Sequence, residues 1–356
     1  METQVESEKA LSFSDKFRQL FENKNIKRAA IFSHTYPDPD ALGSQMAIKW
    51  LLEKFNITSD MYISGKIAHP QNMTMVNLLG LELHPLDNYV SEEYGLNFVV
   101  DATPMNAGVN GHKINFDCVI DHHKIILEPN YKGLYINTKA GSCCAQIYDL
   151  LHSMGTKFDD DVDYDCKVAT ALMVGITTDT ENLMSDDATD YEFKAWSDLF
   201  QYRDPICLKQ IVRYQRPKFW TDTKIEAMKH PTIDNRIGVV GLGIIPSKHR
   251  DVVADVADEL ATWEDIKTAV AFALIDGKTV VGSVRSDDTT ASVNEICSAL
   301  GSTKKGSGGG KPGKGAYSYE LGGASIDDVD DEDDQKATWE LINQRERKRV
   351  LRILNS

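Results

Sequence analysis

Short apolar runs bounded by polar residues alternate, along the first part of the chain, with segments of helical periodicity. The runs lie at 28–33, 61–64, 96–100 and 118–120, and the helical segments at 41–55, 145–154 and 167–174. Short continuous apolar runs are typical of strands that are buried on both faces, as in parallel sheets. Their alternation with helices predicts an α/β fold with a doubly wound, mainly parallel sheet.

The second part of the chain has a different pattern. Residues 191–229 are amphipathic and predict helices, and an apolar run at 236–242 predicts a new strand. Further helices are predicted over 247–263, with Ser247 as the N-cap, and over 292–300. The runs 268–275 and 279–284 flank Asp276-Gly277-Lys278, which favours a hairpin. Together these elements predict a smaller α+β domain.

The remaining segments are defined by composition. Glycine and lysine dominate 302–315, which predicts a loop, and 327–334 is an acidic run of the kind that is solvated or disordered. Residues 336–354 predict a helix that docks either on the body of the protein or on another subunit. The predicted divisions are a polar leader with one short helix at 1–24, the α/β domain at 25–200, a helical linker at 201–232, the smaller domain at 233–325, and the acidic run with the C-terminal helix at 326–356.

Composition narrows the class of protein. The formal net charge of −15 argues against non-specific binding of long nucleic acid, although a local field at a metal site can still attract a small anion. None of the six cysteines forms a C-x-x-C pair, so neither a zinc ribbon nor a disulfide framework is predicted. The chain shows no signal-peptide layout and no apolar stretch of membrane-spanning length. We therefore expect a cytoplasmic protein with reduced thiols and no membrane partner.

Histidine and aspartate residues follow the apolar runs in an order that indicates a metal site. Each group is expected at the end of a strand-like run: His34 with Asp38 and Asp40, then Asp101, then Asp121-His122-His123, and finally Asp179. Strand ends at one edge of an α/β sheet present their side chains to a ligand. Several carboxylates gathered there repel one another strongly unless a cation lies among them. The pattern therefore predicts bound metal.

Taken singly, these residues also have ordinary structural explanations. An aspartate before a helix, such as Asp40, is most often an N-cap. Asp101 is a common kind of residue at the end of a strand, and two adjacent histidines such as His122 and His123 often lie on a surface. Capping does not explain His34, however, and the combined order is much more specific than any one residue.

This order resembles that of the DHH phosphoesterase family, named for the triplet that is Asp121-His122-His123 here. The resemblance covers about residues 25–325, and the size and layout are closest to the two-domain members, the oligoribonuclease (nanoRNase) and cyclic-dinucleotide phosphodiesterase types. It implies that 25–200 is the metal-binding catalytic domain and 233–325 the DHH-associated substrate-binding domain. It also implies an active site in the cleft between the two domains.

The resemblance assigns roles to individual residues. It implies that one metal is held by His34, Asp38 and Asp101, and a second by Asp40, Asp101, His122 and Asp179, with Asp101 bridging the two. Asp121 would orient a ligand histidine, and His123 would face the substrate phosphate as a hydrogen-bond donor or general acid. Mixed histidine and carboxylate ligands suit Mn²⁺ best, with Mg²⁺ and Co²⁺ as alternatives.

The predicted substrate contacts lie in the second domain. The segment 282–286 resembles the family's substrate-binding strand end, so Arg285 and Ser286 are expected to contact substrate, together with Gly309, Gly310 and Lys311. Lys311 departs from the family, which commonly has a histidine after the three glycines. The same segment almost matches a nucleotide-binding P-loop, but Gly315 replaces the required Ser or Thr and a helix precedes the loop, which argues against an ATPase.

The function that these residues predict is a metal-dependent phosphodiesterase. It would hydrolyse short oligonucleotides, or linear and cyclic dinucleotides, to nucleoside monophosphates with water activated by two metals. The alternatives are a phosphoadenosine-phosphate phosphatase, a pyrophosphatase or polyphosphatase and, from another class, a non-catalytic nucleotide-binding protein. An exonuclease acting on long strands is disfavoured because no additional strand-binding domain is predicted. Whether the chain forms a homodimer stays open.

Overall fold

The computed structural model describes residues 12–22, 26–105, 109, 114–123, 133–137, 139–288, 292–303, 305–322 and 332–355. The chain divides into two compact units, Met1–Gln215 and Arg216–Ser356. Parts of the predicted polar leader and most of the acidic run lie outside the described residues. No helix among the described residues combines the length and the apolar character that crossing a bilayer requires.

The first unit is built on a parallel six-stranded sheet in the order β3-β2-β1-β4-β5-β6. Its strands are β1 (Arg28–Phe32), β2 (Thr58–Ile63), β3 (Leu83–Pro85), β4 (Leu96–Val100), β5 (Cys118–Ile120) and β6 (Leu134–Ile136). Its helices are α1 (Phe13–Glu22), α2 (Pro39–Lys54), α3 (Pro70–Leu79), α4 (Cys143–Ser153), α5 (Asp163–Asp179), α6 (Asp190–Leu199) and α7 (Pro205–Val212). The predicted parallel α/β class is confirmed.

The strand order of this sheet reverses between β1 and β4. The chain runs outward through β1, β2 and β3 and then returns to pair β4 with the other side of β1. In open α/β sheets, such a reversal leaves a crevice at the carboxyl ends of the strands, where ligands bind. The topology therefore places a candidate site beyond Phe32 and Val100.

The second unit contains a mixed six-stranded sheet in the order β11-β12-β10-β9-β8-β7. Its elements are α8 (Lys218–Met228), β7 (Thr232–Asp234), β8 (Ile237–Ile245), α9 (Val252–Ala261), β9 (Thr268–Ile275), β10 (Thr279–Ser286), α10 (Val293–Gly301), β11 (Gly306–Lys311), β12 (Lys314–Glu320) and α11 (Glu332–Leu354). Among the described strand pairs of this second sheet, β8–β9 is parallel and the others are antiparallel. The predicted α+β class is confirmed.

The hairpin between β9 and β10 forms at the expected turn. Asp276 and Gly277 both have positive φ, at 47° and 70°. Two consecutive positive φ angles define the turn that matches the twist of antiparallel strands, and the Asp-Gly pair is well suited to it. Ser247, in contrast, is not the N-cap of a helix: it starts a short 3-10 turn, and α9 begins only at Val252. The reason is that the Ser247 amide donates to Asp276 Oδ1 at 2.8 Å, which ties it to the hairpin turn.

The glycine- and lysine-rich segment is a hairpin of β11 and β12, so the prediction of a loop over 302–315 is wrong. A Cβ atom on Gly308 would lie 1.8 Å from the backbone oxygen of Cys297 in α10. Glycine is therefore required because the helix lies directly against the strand. Composition suggested a flexible loop, but the close approach of α10 explains the glycines instead.

The C-terminal helix packs against the sheet of its own unit. Val350 is fully buried, and the carboxylate of Glu346 is also buried. It accepts hydrogen bonds from Tyr317 Oη at 2.9 Å and Tyr319 Oη at 2.6 Å. The predicted helix over 336–354 is thus present, and it docks on the body of the protein.

Candidate metal centre

The predicted ligands that follow β1, β4 and β5 meet at one edge of the first sheet. His34 lies two residues after β1, Asp101 directly after β4, and Asp121 directly after β5. These three strands are adjacent and parallel, so their carboxyl ends share an edge. The crevice at the strand-order reversal therefore contains the candidate residues.

Asp38 and Asp40 have different roles at the start of α2. Asp38 is the N-cap, because its Oδ1 accepts from the amides of Asp40 at 3.1 Å and Ala41 at 3.0 Å. The ordinary explanation of Asp40 as an N-cap therefore does not apply, because Asp38 holds that position. Asp40 lies in the first helical turn and is almost completely buried. Pro39 fits at the first helical position because an amide there has no partner within the helix, so the missing N–H of proline breaks no hydrogen bond.

The buried carboxylate of Asp40 is held by the N-terminus of α4. Its Oδ2 accepts from the amide of Cys143 at 2.7 Å, and its Oδ1 from the amide of Cys144 at 2.8 Å. The first amides of a helix have no partner within the helix and attract anions. Sequence reasoning treated the two cysteines only as small buried residues. Gly141-Ser142 before the helix was the signal for this N-terminus, since Ser142 is the N-cap of α4.

Asp179 is the last residue of α5, so its predicted position after a strand is wrong. The helix approaches α2 very closely. A Cβ atom on Gly175 would lie 2.4 Å from Cys144 Sγ and 2.9 Å from Asp40 Cα. The helix predicted at 167–174 continues to Asp179, and its residues 168–176 are buried on every side. The close contact brings Asp179 beside the ends of the strands.

Two groups of potential ligands share Asp101. His34 Nε2 lies 3.5 Å from Asp101 Oδ2 and 3.8 Å from Asp38 Oδ1. On the other side, His122 Nε2 lies 3.4 Å from Asp101 Oδ1. The same nitrogen is 3.2 Å from Asp179 Oδ2 and 3.9 Å from Asp40 Oδ2. The two oxygens of one carboxylate therefore face two separate clusters.

The backbone at Asp101 is strained. Its φ angle is +52°, in the left-handed region that L-residues other than glycine, asparagine and aspartate seldom adopt. Its amide donates to Ile120 O at 2.8 Å, which fixes this conformation to the neighbouring strand. Such conformations persist where the surrounding structure requires them, often at functional sites.

The residues present fit divalent cations. Asp101 Oδ1 is buried, and within the described part of the chain it accepts no hydrogen bond. Two groups of three side chains each bring one potential ligand atom per residue within 4.8 Å of the other two. The groups are His34, Asp38 and Asp101, and Asp40, His122 and Asp179. Imidazole nitrogens with carboxylate oxygens form a donor set suited to a first-row divalent metal. Buried carboxylates at this density also need positive charge.

The ionisation of these residues shows strong coupling. Burial lowers the pKa of His34, but hydrogen bonds to Asp101 and Asp38 outweigh it and raise the pKa to about 10. Burial also lowers the pKa of His122, but the nearby carboxylates, Asp101 foremost, outweigh it and raise the pKa to about 9. Burial raises the pKa of Asp101, yet both histidines hold it well below its usual range. In the absence of metal, protons on the two histidines thus offset part of the negative charge of the cluster.

His123 is positioned by Asp121. His123 Nδ1 lies 2.8 Å from Asp121 Oδ1, and the His123 amide donates to the same oxygen at 3.2 Å. This hydrogen bond raises the pKa of His123 against the effect of its partial burial. Asp121 is fully buried, whereas about half of the His123 side chain is exposed. In this structure Asp121 therefore orients His123, and no hydrogen bond between Asp121 and the ligand candidate His122 is present among the described contacts.

The predicted substrate residues of the second unit lie on adjacent strands. Arg285 on β10 pairs in register with Lys314 on β12, which pairs in register with Lys311 on β11. Neighbouring strands are about 4.8 Å apart, so three cations form a row at one end of the sheet. The Arg285 guanidinium contacts Asp258 and donates to Ser283 Oγ. Lys314 was not among the predicted site residues, and the strand register places it between Arg285 and Lys311.

The other predicted substrate residues have structural partners. The Ser286 hydroxyl is buried and lies 2.8 Å from the Thr268 hydroxyl. Gly309 and Gly310 belong to β11, and the Gly310 amide donates to Asn294 Oδ1 at 3.1 Å. Their predicted contact with substrate remains a prediction.

The comparison with known families agrees with this geometry. Residues 28–176 match the family described as "DHH family, N-terminal domain". This part of the chain is therefore similar to the N-terminal domain of the DHH family. The matched range includes both metal-type clusters except Asp179, which lies three residues beyond it.

Curated relatives are distant, and each is matched over only part of its length. The chain is 26% identical over 327 residues, 91% of its length, to an uncharacterized protein of Methanocaldococcus jannaschii, and the match covers 63% of that protein. It is 24% identical over 48% of its length to a probable manganese-dependent inorganic pyrophosphatase of Lactobacillus gasseri, of which 53% is covered. It is 29% identical over 48% of its length to a probable bifunctional oligoribonuclease and PAP phosphatase of Streptococcus mutans, of which 52% is covered. The chain thus spans less than two thirds of each of these relatives.

One solved structure has the same fold across nearly the whole chain. It is an exopolyphosphatase-related protein from Bacteroides fragilis, with a TM-score of 0.67 and 14% identity, covering 98% of this chain and 99% of that one. At this identity the likeness concerns the fold alone.

Proposed function

We propose that this protein is a metal-dependent phosphoesterase whose centre holds two divalent cations. The observation that carries the proposal is Asp101, whose two carboxylate oxygens face two clusters of histidine and carboxylate groups. A single metal does not need a carboxylate that is shared between two clusters. A carboxylate that bridges two metals must face both of them. Bound there, the cations would supply an activated water and would stabilise charge on a phosphate.

The ligand roles follow from the two clusters. His34, Asp38 and Asp101 would hold one cation, and Asp40, His122, Asp179 and Asp101 the other. Asp40 already receives two amide hydrogen bonds, which orient its oxygens. The L. gasseri relative, a probable manganese-dependent enzyme, supports manganese, as does the donor set. Mg²⁺ and Co²⁺ remain the alternatives.

His123 would transfer or share a proton with the substrate phosphate. Its Nδ1 is held by Asp121, so the imidazolium form keeps its second proton on Nε2. The hydrogen bond to Asp121 raises the pKa of His123, which extends the cationic form to higher pH. Its exposed half distinguishes it from the buried His122, and this makes His123 the better candidate for contact with substrate.

Short oligonucleotides and linear or cyclic dinucleotides are the proposed substrates, with nucleoside monophosphates as products. Support comes from the oligoribonuclease name of the S. mutans relative and from the row of Arg285, Lys314 and Lys311, which suits phosphate groups. Binding of the substrate between the two domains remains a prediction from the family resemblance.

Two other reactions have specific support. The second activity in the name of the S. mutans relative favours a phosphoadenosine-phosphate phosphatase. The name of the L. gasseri relative favours a pyrophosphatase. A non-catalytic nucleotide-binding protein is disfavoured, because every predicted ligand position carries a metal-binding side chain.

One turnover panel distinguishes these functions. The purified chain is stripped with chelator, reloaded with Mn²⁺, Mg²⁺ or Co²⁺, and given dinucleotides, five-nucleotide RNA and DNA, cyclic dinucleotides, phosphoadenosine phosphate and pyrophosphate. We expect Mn²⁺-dependent release of nucleoside monophosphates from dinucleotides or five-nucleotide substrates. Full activity after exhaustive chelation would contradict the two-metal centre, and turnover of pyrophosphate alone would replace the proposed substrate.

A further inference from the structure

A pocket in the first unit lies outside the metal cluster. It has a volume of about 470 Å³, within the range of small-molecule sites. It is formed by the end of α5, the turn after it, α6 and α7, and its lining includes Thr177, Asn182, Trp196, Arg203, Lys209 and Arg213. The proposed reaction assigns no role to these residues.

The positive charge of this pocket is not balanced. Arg203, Lys209 and Arg213 line it, and no acidic residue does. Among the residues that the structure describes, neither Lys209 nor Arg213 forms an ion pair or a side-chain hydrogen bond. In a chain of net charge −15, three clustered cations without carboxylates favour an anionic ligand.

A pocket in the second unit provides an internal comparison. It has a volume of about 380 Å³ and is also lined by two basic residues, Arg216 and Lys224. There, Arg216 lies 3.0 Å from Asp255, and Lys224 lies 2.7 Å from Glu259. Ion pairs within the protein account for those cations. The same explanation is not available for the pocket beside α6.

Trp196 lines the pocket, and Phe200 packs beside it. The rings of Trp196 and Phe200 have centroids 5.2 Å apart, and the Arg203 guanidinium lies over the Phe200 ring at 3.4 Å. The three residues follow one another at i, i+4 and i+7, so they share one face of α6 and its extension. Partly exposed aromatic and guanidinium planes are surfaces on which nucleic-acid bases stack.

We propose that this pocket is a nucleotide-binding site, with the base against Trp196 and the phosphate between Lys209 and Arg213. Its lining is distinct from the metal cluster, but Asn182 is only three residues after Asp179. Three residues span at most about 11 Å, so an occupant lies close enough to influence that ligand or to belong to the same substrate. The choice of a nucleotide rests on the proposed function, whereas the site itself rests on charge and shape.

Binding is measured on the whole, chelator-treated chain, so that the metal centre does not contribute. Titration calorimetry compares AMP, adenosine, ribose 5-phosphate and inorganic phosphate. We expect saturable binding of AMP that is tighter than that of adenosine or phosphate. Loss of one charge-assisted contact should weaken AMP binding by about tenfold or more in Arg213→Ala and in Lys209→Ala.

Lys194→Ala is the matched control. Lys194 is exposed on α6 but does not line the pocket, so this variant removes the same charge nearby without removing a contact. It should bind AMP like the wild type. Equal weakening in all three variants would show diffuse electrostatic attraction and overturn the site, as would absence of saturable AMP binding to a folded wild type. Trp196→Phe keeps an aromatic ring and should retain AMP affinity while removing any Trp196 fluorescence response.

The nucleotide has two potential sources, a free nucleotide or a part of the substrate. If it is part of the substrate, AMP competes with five-nucleotide RNA, and Arg213→Ala raises KM without changing kcat. If it is free, AMP changes kcat in the wild type and not in Arg213→Ala. Hydrolysis without any AMP effect would retain the proposed function and overturn the pocket proposal. AMP binding without hydrolysis of any substrate would retain the pocket proposal and overturn the proposed function.

Discussion

At the scale of single residues, the centre depends on how a few carboxylates are held. Asp101 has a positive φ angle and is shared between the two clusters. Asp40 is held by the N-terminus of α4 at Cys143, and Asp121 orients His123. These are three aspartates in similar sequence positions with three different surroundings. Substitutions at them should therefore have different consequences.

Replacing Asp101 should damage both metal sites, whereas replacing Asp121 should not. Asp101→Asn removes the shared negative charge, so we expect loss of both bound metals and of turnover. Asp121→Asn alters only the orientation of His123, and a decrease of about 10- to 100-fold in kcat with both metals retained is expected. Metal analysis of dialysed protein, together with steady-state kinetics, measures both effects. Two bound metals and near-normal turnover in Asp101→Asn would exclude its bridging role.

Metal affinity should increase with pH. The pKa values of His34 and His122 in the metal-free protein are raised to about 10 and about 9, so both carry protons at neutral pH. A metal must displace these protons, so raising the pH favours binding by about tenfold per pH unit for each proton released. The Mn²⁺ dissociation constant should fall between about pH 6.5 and pH 8.5 and level off above the histidine pKa values. Calorimetry in buffers of different ionisation enthalpy counts the protons; a pH-independent constant would contradict the coupling.

At the scale of elements, the sequence predicted those structures that follow from local pattern. Four of the six parallel strands, the Asp276-Gly277 hairpin and the C-terminal helix were predictable from periodicity and turn chemistry, whereas β3 and β6 were not predicted. The errors arose where a distant element decides the structure. The glycine-rich segment 306–310 forms a strand against which α10 lies, and Asp179 ends a helix whose residues 168–176 are buried on every side. Such contacts cannot be predicted from local composition.

The glycines of β11 should therefore differ sharply in their tolerance of substitution. A Cβ atom on Gly308 would collide with Cys297 O at 1.8 Å, whereas on Gly309 its nearest neighbour would be Asn294 Oδ1 at 3.4 Å. Gly308→Ala should lower the free energy of unfolding by about 1–3 kcal/mol, the cost of overpacking. Gly309→Ala should change it much less. Urea denaturation measures both, and equal effects would disprove the close packing of α10.

The cation row at the end of the second sheet should contribute binding and not proton transfer. Lysine is a point charge with a high pKa, so Lys311→Ala should raise KM by about ten- to a hundredfold with little change in kcat. Lys305→Ala is the matched control, because Lys305 pairs with Glu320 on the same hairpin. Unchanged kinetics in Lys311→Ala, on the best substrate of the turnover panel, would remove β11 from substrate binding.

At the scale of the whole molecule, the two units supply different parts of the proposed function. The metal-type clusters belong to residues 34–179 of the first unit, and the cation row to residues 285–314 of the second. The order of the ligand residues along the chain was sufficient to predict the first. The second depends on strand register, which brings Lys314 beside Arg285.

This division predicts two separable protection patterns in hydrogen exchange. Mn²⁺ alone should slow amide exchange around Asp101, at the start of α4 and at the end of α5, because ligand binding stabilises only the conformation that it contacts. The hairpin of β11 and β12 should not respond to Mn²⁺. A non-hydrolysable dinucleotide added with Mn²⁺ should then slow exchange in that hairpin as well, and Lys311→Ala should weaken this second effect while leaving the first intact. If the dinucleotide protects only the first unit, the hairpin is not a substrate-binding element, and the charges of the second unit have another role.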